Sequence, residues 1–574
     1  MLIDMIHDNH GEPPFKTRYR DPATLRAYGY QAIVLPDALT VIPAAHDASL
    51  APTPLMPVGP LNTLGHDPEA MIDARVAAAS AAGMATFFYA DALLLPRSIV
   101  AKRPADFLCD DASGRLCPAK PAVFAAFQDQ VRELFDRWPA AAGLILRSGE
   151  VYPEATPHMT GNPLHTPACP ACRAMPLPDR LVRLIEALHD VLITELDKLY
   201  IHRAWQPAIP GLPNMHDDPA VYRAIAARVP DSPNLAFSFK FTRGDFRHAP
   251  LAAPGAAGDR APVSFNPCLL ADARPKWIEF QCEREFEGKG AFPNFQAPAW
   301  GSLLAHLAHA VGPAEFHRRF SLWGWSRGGG WGGPYVQREE WIDANVYALA
   351  ALYEKPDAEP ADIATTWISR TFSVAQSAPA TPALSELLLK SADIVRHLLY
   401  VDAPGPAAFT TPYARSWLKD DLLDVDALWS AAQGIAAVGP QRAEEACRQK
   451  ADALAGVDRL RQLFDLAAPE LPNKSQARDL ANSLACLGSF AGAITHLFTG
   501  FVRFLQWSRL PGGGANSAKD ALALAAADHL EQAQAHWQHH TQRHALLPGA
   551  PSVFQENSLW ERSNACLEQL QAAG

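Results

Sequence analysis

Residues 277–288 read WIEFQCEREFEG. The short run Trp277–Phe280 is rich in aromatic and aliphatic side chains, as a buried strand requires, and a charged segment ending in glycine follows it at once. The same grammar recurs along the first part of the chain. Strands are expected at Leu2–Ile6 (LIDMI), Ala32–Leu35 (AIVL), Ala85–Tyr89 (ATFFY), Gly143–Leu146 (GLIL), Leu199–His202 (LYIH), Ala236–Phe239 (AFSF), Trp277–Phe280 and Phe320–Trp323 (FSLW). Between them lie stretches such as PEAMIDARVAAASAAG and PAVFAAFQDQVRELFDRW, with apolar residues at helical spacing. Eight β–α repeats predict an α/β fold, a (β/α)8 barrel over residues 1–345. Beyond it, Ala- and Leu-rich helical patterns such as TPALSELLLKSADIVRHLLY dominate, which predicts an α-helical C-terminal domain over residues 346–574.

The bulk numbers narrow the function. The chain has 574 residues, 48% of them hydrophobic and 19% charged, with a net charge of −11. That balance argues against nucleic acid as the main partner, because a phosphate reader needs a basic face. An anionic substrate would have to be drawn in by local cations. The N-terminus, MLIDMIHDNHGEPP, has neither the basic nor the apolar region of a signal peptide, and the Ala-rich stretches are broken by charges, so no membrane span is expected. Nine scattered cysteines fit a reducing compartment, and the cytoplasm is the expected location.

A barrel of this kind does its chemistry at the C-terminal ends of its strands. His7 follows the first strand, with Asp8, Asn9 and His10, and Asp91 follows the third. The fourth (GLILRSGEVYP) delivers Arg147 and Glu150, the fifth (LYIHRAW) Arg203, and the sixth (AFSFKFTRGDF) Lys240 and Asp245. Glu279, Glu283 and Glu285 belong to the seventh. The eighth (SLWGWSRGGGWGGPY) brings Trp325, Arg327 and Trp331. Glycoside hydrolysis needs one carboxylic acid to protonate the leaving oxygen and another carboxylate to activate water or attack carbon. Carboxyls on several strand ends, with an aromatic Gly-rich loop as a sugar platform, suit that chemistry. The cations beside them suit a substrate that is itself a carboxylate. The residues leave a plainer arrangement open, in which Arg203 and Lys240 pair with neighbouring carboxylates and the tryptophans simply pack.

LRSGEVYP, HRAW, KFTRGD and IEFQCEREFEG, in that order, resemble glycoside hydrolase family 67, the α-glucuronidases that remove glucuronic acid from xylan fragments. ANVYALAALYEKPDAEPADIATTWISRTF is similar to the Asn-containing helix with which that family enters its C-terminal domain. This chain opens almost at its first strand, where the family carries a large N-terminal domain, and it has Arg147 where the family has Lys. The resemblance implies Glu150 as general acid, with Asp245 and Glu285 activating water. It further implies Arg147, Arg203 and Lys240 as ligands of the uronate. An inverting, exo-acting hydrolysis of an α-linked uronic acid is implied, with acid and base roughly 6.5–9.5 Å apart. A dimer through the helical domain is implied as well. His7 would meet sugar hydroxyls, and Trp325, Arg327 and Trp331 would wall the pocket. The expected partner is an acidic oligosaccharide, without a cofactor. A neutral α-glycoside, or a catalytically silent sugar-binding barrel, are the rival readings.

The segment HTPACPAC carries His165, Cys169 and Cys172. One CxxC with one histidine lacks a clear fourth ligand for zinc, so no metal is expected there.

Overall fold

The computed structural model describes residues 1–7, 16–36, 68–110, 113–148, 159–161, 164, 167–206, 213–241, 266–284, 287–328, 338–400, 425–511, 517–544 and 558–573. They fall into two compact units. One holds the described residues of 1–241, 266–281 and 305–328, and the other holds those of 282–304 and from 338 onward.

In the first unit eight strands close a barrel: β1 Leu2–His7, β2 Ala32–Pro36, β3 Ala85–Asp91, β4 Gly143–Arg147, β5 Leu199–Arg203, β6 Leu235–Lys240, β7 Lys276–Gln281 and β8 Phe320–Gly328. Each pairs in parallel with the next, and β8 with β1. All eight expected strands are present. β8 overshoots its expected end most, because Gly324 and Ser326 interrupt the apolar run without ending the ladder. The backbone N–H and hydroxyl of Ser326 donate to the buried Asp4 carboxylate at 2.9 and 2.6 Å. Burial pushes the Asp4 pKa well above the usual carboxylate range. Gly143 opens β4 because only glycine fits there: a Cβ would stand 2.3 Å from the Leu199 carbonyl oxygen.

Helices cover the outside of the strands. The helix Pro121–Arg137 starts with proline at its first turn, where the missing N–H costs nothing. It buries Val123, Phe127, Val131 and Leu134, one face at three- and four-residue spacing. Outward-facing Phe88 of β3 meets Phe135 at 6.0 Å and Trp138 at 5.6 Å, edge-on and tilted.

A two-stranded antiparallel ribbon, Leu94–Pro96 with Met159–Gly161, was not expected from sequence. Three-residue strands are too short to show a period. The ribbon joins the excursion after β3 to the one after β4, and the same two excursions bring four cysteines together. Cys109 and Cys117 meet Cys169 and Cys172, all four buried, with every sulfur within 4.8 Å of the others. The expectation that the CxxC lacks further ligands is thereby corrected. Counting within one loop could not find two thiols that the barrel supplies from another.

The second unit is helical beyond residue 338, with Glu340–Glu354, Pro360–Phe372, Ala380–Leu399, Val425–Val438, Pro440–Ala467, Lys474–Arg509, Ser517–His544 and Ser558–Ala573. Lys474–Arg509 is long and apolar enough to cross a membrane by length and composition, but 83% of its apolar window is buried inside the protein. Its phenylalanines 490, 498 and 501 are core side chains of this unit. The HHTQRH stretch lies on the helix Ser517–His544. Its His540 is buried against Ser489, with Nδ1 and Oγ 2.8 Å apart.

Candidate active site

Paired residues in a parallel ladder point the same way, so register fixes which side chains share the lumen. Asp91 pairs with Arg147, Arg147 with Arg203, and Arg203 with Ser238. In the same way Lys240 pairs with Glu279, and Glu279 with Trp323. This face points inward. Tyr89 of β3 meets Trp323 of β8 with ring centroids 5.9 Å apart, and those strands are not neighbours in the sheet, so the contact crosses the lumen. The strand alternation thus collects two carboxylates and three cations at the C-terminal end of the barrel, the end where such barrels work.

Arg203 sits at the centre. Its Nε donates to both oxygens of Glu279, at 3.0 and 2.9 Å, and its Nη1 to the Tyr89 hydroxyl at 3.1 Å. Ser238 Oγ donates to Glu279 Oε1 at 2.7 Å. Arginine and glutamate are only 1% and 0% exposed. The Arg203 guanidinium also lies 5.2 Å from the Trp325 ring centroid and 5.7 Å from that of Trp205. A buried pair of this kind roughly balances its own desolvation, but stripping one partner leaves a bare charge and costs about 3–5 kcal/mol. Arg147 donates to both Asp91 oxygens through Nε and Nη2, at 2.6 and 2.8 Å. Its guanidinium stands 5.7 Å from the Tyr89 centroid. Burial pushes the Tyr89 phenol far above its ordinary pKa, so it remains a hydroxyl between the two arginines.

Lys240 is buried, with Nζ 3.9 Å from the Trp205 ring centroid. Its backbone N–H donates to His216 Nε2 at 3.1 Å, and His216 Nδ1 lies 2.7 Å from Asp217 Oδ1. Since Nε2 accepts, the ring proton belongs on Nδ1, where it is shared with the aspartate. The buried indole N–H groups of Trp205 and Trp323 meet no acceptor among the described residues. Donors of that kind, set in an aromatic floor, suit sugar hydroxyls.

Of the residues read from sequence, Arg147, Arg203, Lys240 and Trp325 are brought together here. Arg327 is fully buried near the end of β8. His7 is the last residue of β1; its side chain lies outside the described residues, as do Glu150, Asp245, Glu285 and Trp331 entirely. The arginines differ from expectation. Both were read as gripping a substrate carboxylate, and both are already held by protein carboxylates. Tyr89, Ser238 and Trp205 were not singled out, and Glu279 was set aside in favour of Glu285. Period-two alternation back from Asp91 and Lys240 would have placed Tyr89 and Ser238 on the inward face.

In the other unit, the chain flanking Glu285 is firmly tied. Arg284 holds a left-handed backbone, φ 63°, and donates to Glu287 Oε2 through Nε and Nη2 at 2.9 and 2.6 Å. Tyr400 donates to the other Glu287 oxygen at 2.8 Å. Asn345 gathers the same segment: its side chain accepts from the Gln296 N–H at 2.9 Å and donates to the carbonyls of Cys282 and Asn294, both at 3.0 Å.

No protein-family model and no curated protein matches this chain. Solved structures do. A glycoside hydrolase family 138 enzyme that targets pectin rhamnogalacturonan II superimposes with a TM-score of 0.59 at 11% identity, over 100% of this chain and 83% of that one. The fold is shared with a glycoside hydrolase. A protein of glycoside hydrolase family 84 matches with a TM-score of 0.42 at 9% identity, over 99% of this chain and 76% of its own. The family 20 exo-β-N-acetylglucosaminidase from Vibrio harveyi gives 0.35 at 11% identity, over 64% of this chain and 56% of its own. Family 67 is not shown among these three structures.

Proposed function

We propose that this chain is a glycoside hydrolase whose sugar sits at the C-terminal mouth of the barrel. One observation carries the reading: an inward row of paired charges, Asp91–Arg147 and Glu279–Arg203, beside Trp205 and Trp323, whose indole donors lack acceptors among the described residues. Such a floor is polar and held in place by its own ion pairs, which suits a hydroxylated ring. The sharing of the fold with a family 138 enzyme is in keeping with it.

Glu150 as general acid, with Asp245 and Glu285 activating water in an inverting hydrolysis, is the assignment that the resemblance to family 67 implies, and we keep it as a proposal. An α-linked uronic acid is the substrate class we infer. Arg147, Arg203 and Lys240 stand on the inward row among the described residues, and cations there suit an anionic ring. Lys240, buried with its ammonium 3.9 Å from the Trp205 ring centroid, is the cation we assign to the uronate. The same ion pairs favour a second reading, a neutral sugar, in which all these charges serve the floor alone.

The test is hydrolysis of a panel of acidic and neutral aryl glycosides and oligosaccharides, followed by proton NMR so that the product anomer is seen as it forms. Turnover of a uronoside with inversion is expected. Lys240→Ala should raise KM for it about tenfold while leaving a neutral analogue within about twofold. An equal loss on both would end the uronate reading, and no turnover across the panel would end the enzymatic one.

A further inference from the structure

The four cysteines lie away from the inward row and do something else. Cys109 Sγ is 3.7 Å from Cys172 Sγ, Cys117 Sγ is 3.6 Å from Cys169 Sγ, and Cys169 Sγ is 3.4 Å from Cys172 Sγ. Metal–sulfur bonds of about 2.3 Å in a tetrahedron put sulfurs about 3.8 Å apart, whereas a disulfide bonds them at about 2.05 Å. The observed spacing belongs to the first case. An iron–sulfur cluster would spread its four ligands wider than the 4.8 Å that contains these.

The local backbone is built to hold the sulfurs still. Cys109 and Cys117 flank a bridge between Leu108 and Leu116, closed by the Cys109 N–H to the Arg115 carbonyl at 2.8 Å and the Cys117 N–H to the Phe107 carbonyl at 2.8 Å. Cys169 and Cys172 begin and line the turn Pro170–Arg173, where the Arg173 N–H donates to the Cys169 carbonyl at 2.9 Å. Ala119 and Ala168 pack against the cluster.

We propose that Cys109, Cys117, Cys169 and Cys172 bind one zinc ion as a closed, structural four-thiolate site. Binding exchanges thiol protons for the metal, and no electron moves. The soft all-sulfur donor set and the tetrahedral spacing select zinc, and four protein ligands leave no open position for substrate water. Positive groups stand by to offset the surplus negative charge. Lys120 Nζ donates to the Leu108 carbonyl at 2.6 Å and to Asp110 at 2.7 Å, and the fields of Cys109 and Cys117 reach it. Arg180 feels Cys172.

The ion would clamp the excursion after β3 to the excursion after β4, next to the ribbon Leu94–Pro96/Met159–Gly161 and the Leu116 N–H to Gly161 carbonyl bond. Those excursions leave the barrel directly after Asp91 and Arg147. Zinc therefore fixes the rim of the mouth and takes no part in chemistry there, and its presence is independent of which sugar is bound.

Metal analysis of the full-length chain, purified reduced and without chelator, is the test. One zinc per chain is expected, released by a mercurial thiol reagent only as four thiol equivalents are titrated. Cobalt reconstitution should give the strong visible bands and near-ultraviolet thiolate charge transfer of a tetrahedral sulfur site. Cys117→Ser should drop zinc several-fold, while Cys268→Ser, a buried thiol elsewhere in the barrel unit, keeps one per chain. Substoichiometric zinc with four freely reactive thiols, a pair of disulfides by intact mass, or a red iron centre would each overturn the proposal. The wild-type measurement stands whether or not Cys117→Ser folds.

Discussion

Lys276 and Glu279 lie on one strand, β7, and both are fully buried, yet they belong to different parts of the molecule. Lys276 opens the strand and pairs in register with Phe237, facing outward. Its ammonium is tied to Asp272 Oδ1 at 2.5 Å, to the Tyr222 hydroxyl at 2.7 Å and to the Arg274 carbonyl at 3.1 Å, beneath the helix Pro219–Ala226. Glu279, nearer the other end and facing inward, holds Arg203 under the tryptophans. Burial alone therefore does not mark a functional charge in a barrel. The strand end and the face do, because one end carries fold and the other carries chemistry.

Removing each charge separates the two. Glu279→Ala should have the largest effect. It strands Arg203 in the lumen and should cost about 3–5 kcal/mol in urea or guanidinium unfolding. The double variant Arg203→Met with Glu279→Leu should regain most of that stability and none of the turnover, since the floor is then packed but no longer polar. If Glu279→Ala is as stable as the parent, the inward pair is not buried as described. A smaller loss, about 1–2 kcal/mol, is expected for Lys276→Met, because Asp272 is partly exposed and can turn to water. Its kcat should stay within about twofold of the parent. A tenfold fall in kcat there would erase the distinction between the two ends.

The remaining effect concerns pH. Burial lowers the Lys276 pKa from its ordinary 10.5 to about 8, against the opposing pull of Asp272. Between those values the unfolded chain carries a proton that the folded chain has released, so this group makes stability rise with pH across that window. Below pH 8 both states hold the proton and the penalty for the buried charge is felt in full. The stability of the parent relative to Lys276→Met should therefore climb from about pH 8 to 10, with a slope no steeper than about 1.4 kcal/mol per pH unit. A difference that falls over that range would contradict the burial of this ammonium.

The eight strands were legible because each is a compact apolar run broken by charge, and the helices because their apolar residues recur at helical spacing. Which charges meet was not. Arg203 could be seen to end β5, but its partner is settled only when β7 is brought two strands away around the closed barrel. Likewise the CxxC of Cys169 and Cys172 was visible, whereas Cys109 and Cys117, more than fifty positions earlier, look like two unrelated thiols until the ribbon aligns the excursions. The Lys240–Asp245 spacing and the REFEG segment suggested family 67, while the fold is shared with a family 138 enzyme.

The most direct measurement is a crystal structure of the Glu150→Gln variant soaked with a short uronate-bearing oligosaccharide. The account predicts the terminal ring at the barrel mouth, its hydroxyls taking the indole hydrogens of Trp205 and Trp323 and its carboxylate on Lys240, with Arg203 still clasped by Glu279. A sugar bound elsewhere on the chain, with the inward row untouched, would contradict it.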